Sequence, residues 1–326
     1  MEYITAGGLN HEPLDTALLQ EALLMRDALL SDFSDIANIE LITTYDARLT
    51  KPEHASQAIL IDEIKNPIHI WQTLLTDCDA ALIVAPETSG ILNQVTTMVE
   101  ASNTLNLGSH SGAVITCSHK YETYQILLST SINTIPTYRT NEIEQLTSND
   151  GFVLKPNDGA GCEDTYYFSD KSSLYAWLAS HPHDNMIVQP YLHGKTASIS
   201  ALFKQGQSWV LSCNEQIIEI QQDNKVHLRG CRVNAFQKYL PEFEHIANQI
   251  AQALPDLNGY AGIDVIINNN MIYVVEINPR ITTSYIGLHE SLSYNPARLI
   301  LDAALKPVFE LPLRLSKNIV DIHLNA

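Results

Sequence analysis

Tyr260-Ala261-Gly262-Ile263-Asp264-Val265-Ile266-Ile267, then Asn268-Asn269-Asn270, then Met271-Ile272-Tyr273-Val274-Val275, closing on Glu276-Ile277-Asn278-Pro279-Arg280, is the stretch on which the rest of the chain depends. Two runs rich in β-branched and aromatic residues flank three residues that tolerate left-handed or turn backbone, which predicts a β-hairpin. With a three-residue loop, 264 pairs with 274 and even-numbered positions share a face, so Asp264, Glu276 and Asn278 point the same way. Opposite and diagonal neighbours on one face lie roughly 5–8 Å apart, close enough to converge on ions between them. Hard oxygen ligands with room for phosphate oxygens suit Mg²⁺, with Mn²⁺ as an acceptable substitute. The same residues would also serve as an ordinary polar solvent face. The metal reading is favoured by Pro279, which ends the strand, and by Arg280, a fixed positive charge just past the ligands that can hold a phosphoryl group.

At 326 residues the chain can form two or three packed modules. Its 19 basic and 37 acidic residues give a net charge of −18, which argues against nucleic acid or an anionic membrane as partner. A soluble cytoplasmic protein is expected: Glu2 to Asn10 has no basic n-region or apolar h-region, and no apolar run reaches membrane-spanning length. Five scattered cysteines without a C-x-x-C pair read as free thiols, and the histidines show no ligand spacing.

The first third alternates apolar runs with amphipathic stretches: Glu2 to Ala6, Leu14 to Phe33, Ile39 to Thr43, Ala58 to Asp62, Asp79 to Ala85 and Gly90 to Leu105. This predicts alternating strands and helices in an open parallel sheet. Gly7-Gly8 after the first strand reads as a tight turn, since no G-x-G-x-x-G is present. Ala85-Pro86-Glu87-Thr88-Ser89-Gly90 falls at the carboxyl edge of such a sheet, where ligands collect, making Glu87 and Ser89 candidates for substrate contact. Helix capping by Thr88 and Ser89 is an equal alternative. Leu107 to Gly112 reads as a linker or domain edge. The expected modules are 1–112, 113–190 and 191–326.

In the second module, Ser118 is positioned to cap a helix through Lys120, Tyr124 and Leu128. Lys120 in its first turn opposes the helix dipole, which suggests that it turns toward an anion such as a phosphate. Gly151-Phe152-Val153-Leu154-Lys155-Pro156-Asn157-Asp158-Gly159-Ala160-Gly161-Cys162-Glu163-Asp164-Thr165 is a strand ending in lysine and a loop bearing Gly159 and Gly161. The loop lets backbone N–H groups approach phosphate oxygens, although it lacks the G-K-[ST] of a P-loop and leads into a strand. Met186 to Gly194 is an apolar strand that becomes a proline-marked hinge, where Gln189, Tyr191 and Leu192 could read an adenine edge. Short β-like runs follow (Ala197 to Phe203, Trp209 to Cys213, Gln216 to Ile220, Lys225 to Arg229), expected to form an antiparallel sheet with the hairpin. Helices are expected over Phe236 to Leu254 and Pro296 to Ala304.

Lys120, the Lys155 loop, the Gln189 hinge and Asp264 with Glu276-x-Asn278, in that order, resemble the ATP-grasp enzymes over roughly Ser118 to the end. The resemblance implies an α/β and α+β chain, an ATP-grasp fold behind an N-terminal open parallel α/β domain, with ATP held between two subdomains. On this chain it makes Lys120 and Lys155 phosphate-binding lysines, Gln189, Tyr191 and Leu192 the adenine pocket, and Asp264, Glu276 and Asn278 the Mg²⁺ ligands. Arg280 resembles the arginine that follows the Glu-x-Asn pair in carboxylase-type members. Where D-alanine ligase relatives carry an arginine two positions before the first metal carboxylate, this chain has Gly262, so Arg280 or Arg229 would replace it. The first third (Glu2-Tyr3-Ile4, Gly7-Gly8, Glu21 to Met25, Ala85 to Thr88) together with Asn278 to Ser284 is similar to the tyramine-glutamate ligase group of methanofuran biosynthesis. That likeness implies transfer of the ATP γ-phosphate to a glutamate carboxylate and attack by an amine such as tyramine or tyrosine. Thr282, Thr283 and Ser284, with Arg229 and Arg232, are then candidates for holding the acid or the acyl phosphate, or else polar turn residues. A ligase for another amino acid or dipeptide, or a nucleotide-sensing module, is the alternative; a homodimer is compatible with either.

Overall fold

The computed structural model describes residues 1–313 and 315–324. Its centre is a six-stranded antiparallel sheet in the order Met271–Asn278, Gly259–Asn268, Lys195–Lys204, Gln207–Ile220, Val226–Val233 and Val320–His323. The expected runs Trp209 to Cys213 and Gln216 to Ile220 fuse into the single strand Gln207–Ile220, which a bulge between Val210 and Ser212 bends without breaking. Val320–His323 adds an edge strand that the sequence did not announce.

Side chains alternate across these strands, so each face has its own partners. On one face Ala197, Ile199, Ala201, Phe203, Ala261, Ile263 and Val265 are buried beneath Phe243, Ala247 and Ile250 of the helix Leu240–Ala253. Each such Ile or Phe contributes about 1.5–3 kcal/mol by leaving water. The other face carries Leu202, Leu211 and Tyr260 against Met25, Leu29 and Phe33 of the helix Thr16–Ser34 and Leu299 and Ile300 of Pro296–Leu305. It also carries the buried polar residues Ser198, Ser200, Ser212 and Asn214. A polar row inside an otherwise apolar sheet marks the functional face.

A second antiparallel sheet, in the order Tyr138–Arg139, Met186–Pro190, Phe152–Pro156 and Tyr166–Phe168, packs its own small core of Ile143, Leu146, Phe152, Leu154, Phe168 and Leu174. The helices Ser111–Ser118 and Lys120–Leu128 instead bury Ala113, Cys117 and Leu127 in the core of the six-stranded sheet.

The N-terminal part holds two parallel strand pairs, Ile42–Asp46 with Gln57–Ile61 and Ala80–Ala81 with Leu105–Asn106, among the helices Thr16–Ser34, Pro67–Leu75 and Ile91–Glu100. The strand expected over Glu2 to Ala6 is absent: Glu2 makes one parallel bridge to Val84, and Ile4–Gly8 winds into a helical turn. The cause is local. The Glu2 carboxylate accepts hydrogen bonds from the N–H groups of Ile4 (3.1 Å) and Thr5 (2.8 Å), and Gly7 at φ +91° ends the turn. The segment read as a linker or domain edge is held by hydrogen bonds to the loop before Gly259–Asn268: Ser109 Oγ donates to the Asn258 carbonyl at 2.8 Å and the His110 N–H to the Asp256 carbonyl at 3.2 Å. The five cysteines are free thiols. Among the described residues, no helix is long and apolar enough to cross a membrane.

Candidate active site

The hairpin turns on two residues, not three. Asn269 and Asn270 adopt φ +48° and +65°, the left-handed pair of a type I′ turn, and Asn268 pairs with Met271. Continued along the strands, that register would set Asp264 opposite Val275 and turn Glu276 to the other face. A bulge intervenes between Val274 and Glu276, so Asp264 pairs with Glu276, and Gly262 with Asn278. The expected pairing of 264 with 274 is therefore wrong, while the shared face it was meant to explain is real; Val275, as the extra residue, restores it.

Asp264 accepts hydrogen bonds from Gln216 Nε2 at 3.0 Å and Asn278 Nδ2 at 3.4 Å, and no cation among the described residues pairs with it. Burial first, and then the Glu276 charge, push its carboxyl up to about 7. Burial would raise Glu276 too, but the ammonium groups of Lys120 and Lys155 outweigh it and hold that carboxyl well below its usual range. Glu276 Oε2 lies 3.1 Å from Lys155 Nζ and 3.7 Å from Lys120 Nζ. The hairpin thus presents one carboxylate without a counter-ion, one shared by two lysines, and a carboxamide. Among the described residues no three His, Cys, Asp or Glu side chains gather as a metal cluster. Two carboxylates and an amide oxygen nevertheless fit a hard divalent ion that completes its shell with phosphate oxygens and water.

The lysines are placed by different elements. Lys155 ends the strand Phe152–Pro156 and is 6% exposed. Lys120 opens the helix Lys120–Leu128 and points inward, donating Nζ to the Gly159 carbonyl at 2.5 Å. The cap of that helix is not Ser118, which ends the preceding helix Ser111–Ser118. Asn157 caps it: its backbone carbonyl accepts from the Lys120 N–H and its side-chain oxygen from the Tyr121 N–H, both at 2.9 Å. The residue after Pro156 therefore joins the glycine loop to the start of the lysine-bearing helix. Within the loop, Gly161 takes φ +62° with open space beside it. Asp158 accepts from the Ser89 N–H at 3.0 Å and from Asn185 Nδ2 at 2.6 Å, tying the loop to the N-terminal part.

Several candidates are engaged inside the protein. Gln189, 4% exposed, donates its side-chain amide to Thr137 Oγ1 at 2.8 Å, and the Tyr191 N–H donates to the Gly151 carbonyl at 2.9 Å. The Tyr191 ring packs edge-on against Tyr167 and His193. Of the hinge amides considered, the Tyr191 N–H is thus spent in the fold, and the backbone amide of half-buried Leu192 makes no hydrogen bond among the described residues. Glu87 is the counter-ion of Arg280: Nε lies 2.9 and 3.0 Å from its two carboxylate oxygens, and a terminal nitrogen 2.9 Å from Oε2. Ser89, as noted, contributes its N–H to Asp158. Arg229 pairs with Glu219 at 2.5 Å, and Arg232 with Glu215 and Asp321.

Thr282, Thr283 and Ser284 follow the strand Met271–Asn278. Ser284 Oγ lies 2.9 Å from Ser200 Oγ, 3.2 Å from the Tyr260 hydroxyl and 3.2 Å from Thr282 Oγ1, and Asn214 Nδ2 donates to Ser200 at 3.0 Å. This network runs under the sheet face that carries Asp264. Thr282 also occupies the space beside Gly262, where a Cβ would come within 2.6 Å of its methyl carbon, so a side chain at 262 is incompatible with this packing. Thr283 donates to the Glu21 carboxylate of the N-terminal helix. Sequence reading missed Gln216, Asn157, Ser200, Asn214 and Glu21 as site residues. The alternation of polar residues along Thr196 to Ser200 and Ser212 to Gln216 was the available signal for the strand residues; Glu21 lies on a helix whose apolar stripe gave no sign of it.

Known proteins resemble this chain in sequence and fold. The profile of the ATP-grasp domain matches residues 117–284, and that of the pre ATP-grasp 3 domain residues 39–114. The tyramine--L-glutamate ligase of Methanocaldococcus jannaschii is 29% identical over 290 residues, covering 88% of this chain and 83% of its own. An ATP-grasp superfamily protein from Archaeoglobus fulgidus superimposes with a TM-score of 0.69 at 23% identity over 99% of this chain and 98% of its own. An L-amino acid ligase from Bacillus licheniformis does so with a TM-score of 0.67 at 17% identity, over 86% and 72%. With a profile match across more than half of its length, a fold shared with these structures and a lysine–carboxylate site between two antiparallel sheets, the chain belongs to the ATP-grasp family and is an ATP-dependent carboxylate–amine ligase.

Proposed function

We propose that the enzyme joins a glutamate carboxylate to an amine such as tyramine or tyrosine, as a step of methanofuran-type cofactor biosynthesis. The reading rests on the similarity to a tyramine--L-glutamate ligase over nearly the whole chain. One structural observation carries its mechanism: two buried lysines, Lys155 at the strand end before the glycine loop and Lys120 at the start of a helix, converge on Glu276 of the hairpin.

In this mechanism Lys120 and Lys155 exchange Glu276 for the phosphates of ATP, and the Gly159–Gly161 loop closes over them. Asp264, Glu276 and Asn278 would hold Mg²⁺, or Mn²⁺ in its place, which supplies charge neutralisation at the phosphates. Leu192 and the Tyr191 ring border the adenine, next to the buried Gln189. The glutamate carboxylate attacks the γ-phosphorus, ADP leaves, and an acyl phosphate forms. Arg280, fixed by Glu87, stands beside the developing phosphoryl charge, where preorganised cations contribute most. Thr282, Thr283 and Ser284 hold the acid. Attack by the amine on the acyl carbon then releases phosphate and leaves the amide; no enzyme nucleophile takes part.

A coupled ADP-release assay with Mg²⁺ and L-glutamate, run across tyramine, tyrosine and other amines with mass spectrometry of the products, tests this. ADP release that depends on tyramine or tyrosine, with a product of the glutamyl amide mass, is expected. ADP release with other amines only would discard the methanofuran assignment.

A further inference from the structure

A cationic amine entering this site needs an anion, and most of the anions there are committed. Asp264 and Glu276 face the metal and the lysines, and Glu87 is locked on Arg280. Glu21 is different. It projects from the helix Thr16–Ser34, accepts the Thr283 hydroxyl on Oε1, and its Oε2 has no donor among the described residues. Thr283 lies three residues beyond Arg280, so this carboxylate is held beside the segment that follows the Glu-x-Asn pair. The Glu21 charge also acts on Arg280, on Cys162 of the glycine loop and on Cys231 of the sheet face that carries Asp264, but burial outweighs it at each of them.

We infer that Glu21 receives the amine substrate, pairing with its ammonium group and taking a proton from it before attack. An ammonium ion has no lone pair, so amide formation requires that proton to leave first. The balance is complete within the proposed reaction. Of the ammonium protons, one passes to Glu21, one departs with the phosphate, and one remains on the amide nitrogen. The C–N bond forms as the acyl C–O bond to phosphate breaks, and Glu21 returns its proton to water. The cationic half of the site (Lys120, Lys155, Arg280) serves ATP and the acyl phosphate, and the N-terminal helix supplies the opposite charge for the other substrate. This assignment rests on the ligase reading above. It also gives the N-terminal part a direct chemical share in the reaction, beyond its packing against the sheet.

The test separates the two half-reactions. Hydroxylamine is neutral at pH 7 and traps an acyl phosphate as a hydroxamate without needing a base. In Glu21→Gln, which keeps the size and a hydrogen bond to Thr283, hydroxamate formation with ADP release should stay within about threefold of wild type. Amide formation with the amine should fall about 10²–10⁴-fold in kcat, with KM for the amine raised. Glu21→Asp should recover part of that loss. Unchanged amide formation in Glu21→Gln overturns the assignment, as does a parallel loss of hydroxamate and amide, which would place Glu21 with the acid or the fold. Absence of hydroxamate in the wild type, across an acid panel, removes the ligase reading itself and the assignment with it.

Discussion

Replacing Glu87 by Ala leaves the Arg280 guanidinium buried without its counter-ion. The two side chains are only 4% and 12% exposed, and three of their contacts fall at 2.9–3.0 Å, so water cannot take over the lost partner. Breaking such a pair by removing one member costs about 3–5 kcal/mol, because the remaining charge keeps its desolvation penalty. For a chain of this length that corresponds to a fall in Tm of about 4–7 °C. Calorimetry of the single variants and of Glu87→Met/Arg280→Met resolves the pair. The double variant should recover most of the stability lost in Glu87→Ala, since apolar groups of similar volume can replace a buried pair, but it should remain inactive. Saturating ATP and Mg²⁺ should raise the Tm of Glu87→Ala more than that of wild type, because phosphate gives Arg280 a new partner. A Glu87→Ala protein melting within about 2 °C of wild type, or a double variant no more stable than the single one, would refute the reading of Glu87–Arg280 as a buried pair whose partner cannot be replaced by water.

Glu276→Gln should give a folded protein with little ADP formation, since it withdraws a proposed metal ligand and the shared counter-ion of Lys120 and Lys155 together; unchanged turnover would remove the metal-site argument. Asp264 sets a pH dependence. Its folded pKa is raised from 3.8 to about 7, so its contribution to stability is fully present below 3.8 and is lost as the pH rises through about 7. At about 1.4 kcal/mol per unit this amounts to at most about 4 kcal/mol. Glu276 acts with the opposite sign, its contribution present above 4.5 and lost only as the pH falls toward about 2. Between pH 4.5 and 7 metal-free protein should therefore lose stability with rising pH, and Asp264→Asn or added Mg²⁺ should flatten the curve; denaturant melts across that range decide, and a flat curve for metal-free wild type would count against it. Gly262→Ala brings a methyl within 2.6 Å of Thr282, so it should cost about 1–3 kcal/mol and raise KM for the acid through the Thr282–Ser284 network; wild-type values on both would show that Thr282 moves freely.

The shared face of Asp264, Glu276 and Asn278 and the order of the elements were legible in the sequence alone. Alternating apolar runs, the asparagine turn and Glu276-x-Asn278-Pro279-Arg280 were enough to place oxygen ligands on one face and a cation beyond them, because those features depend on local backbone geometry. It did not determine the mechanism of that placement, since a two-residue turn and a bulge at Val275 give the same face as a three-residue loop. Nor could it determine long-range pairing. Glu87 read as a substrate contact and is the counter-ion of Arg280, 193 residues away. Ser118 read as a helix cap, a role that Asn157 fills from the glycine loop. Glu21 read as part of an apolar helix and reaches Thr283, 262 residues on. A buried charge takes whichever partner the packed core brings within hydrogen-bond distance, and that choice is made by tertiary contacts between elements that share no local signal.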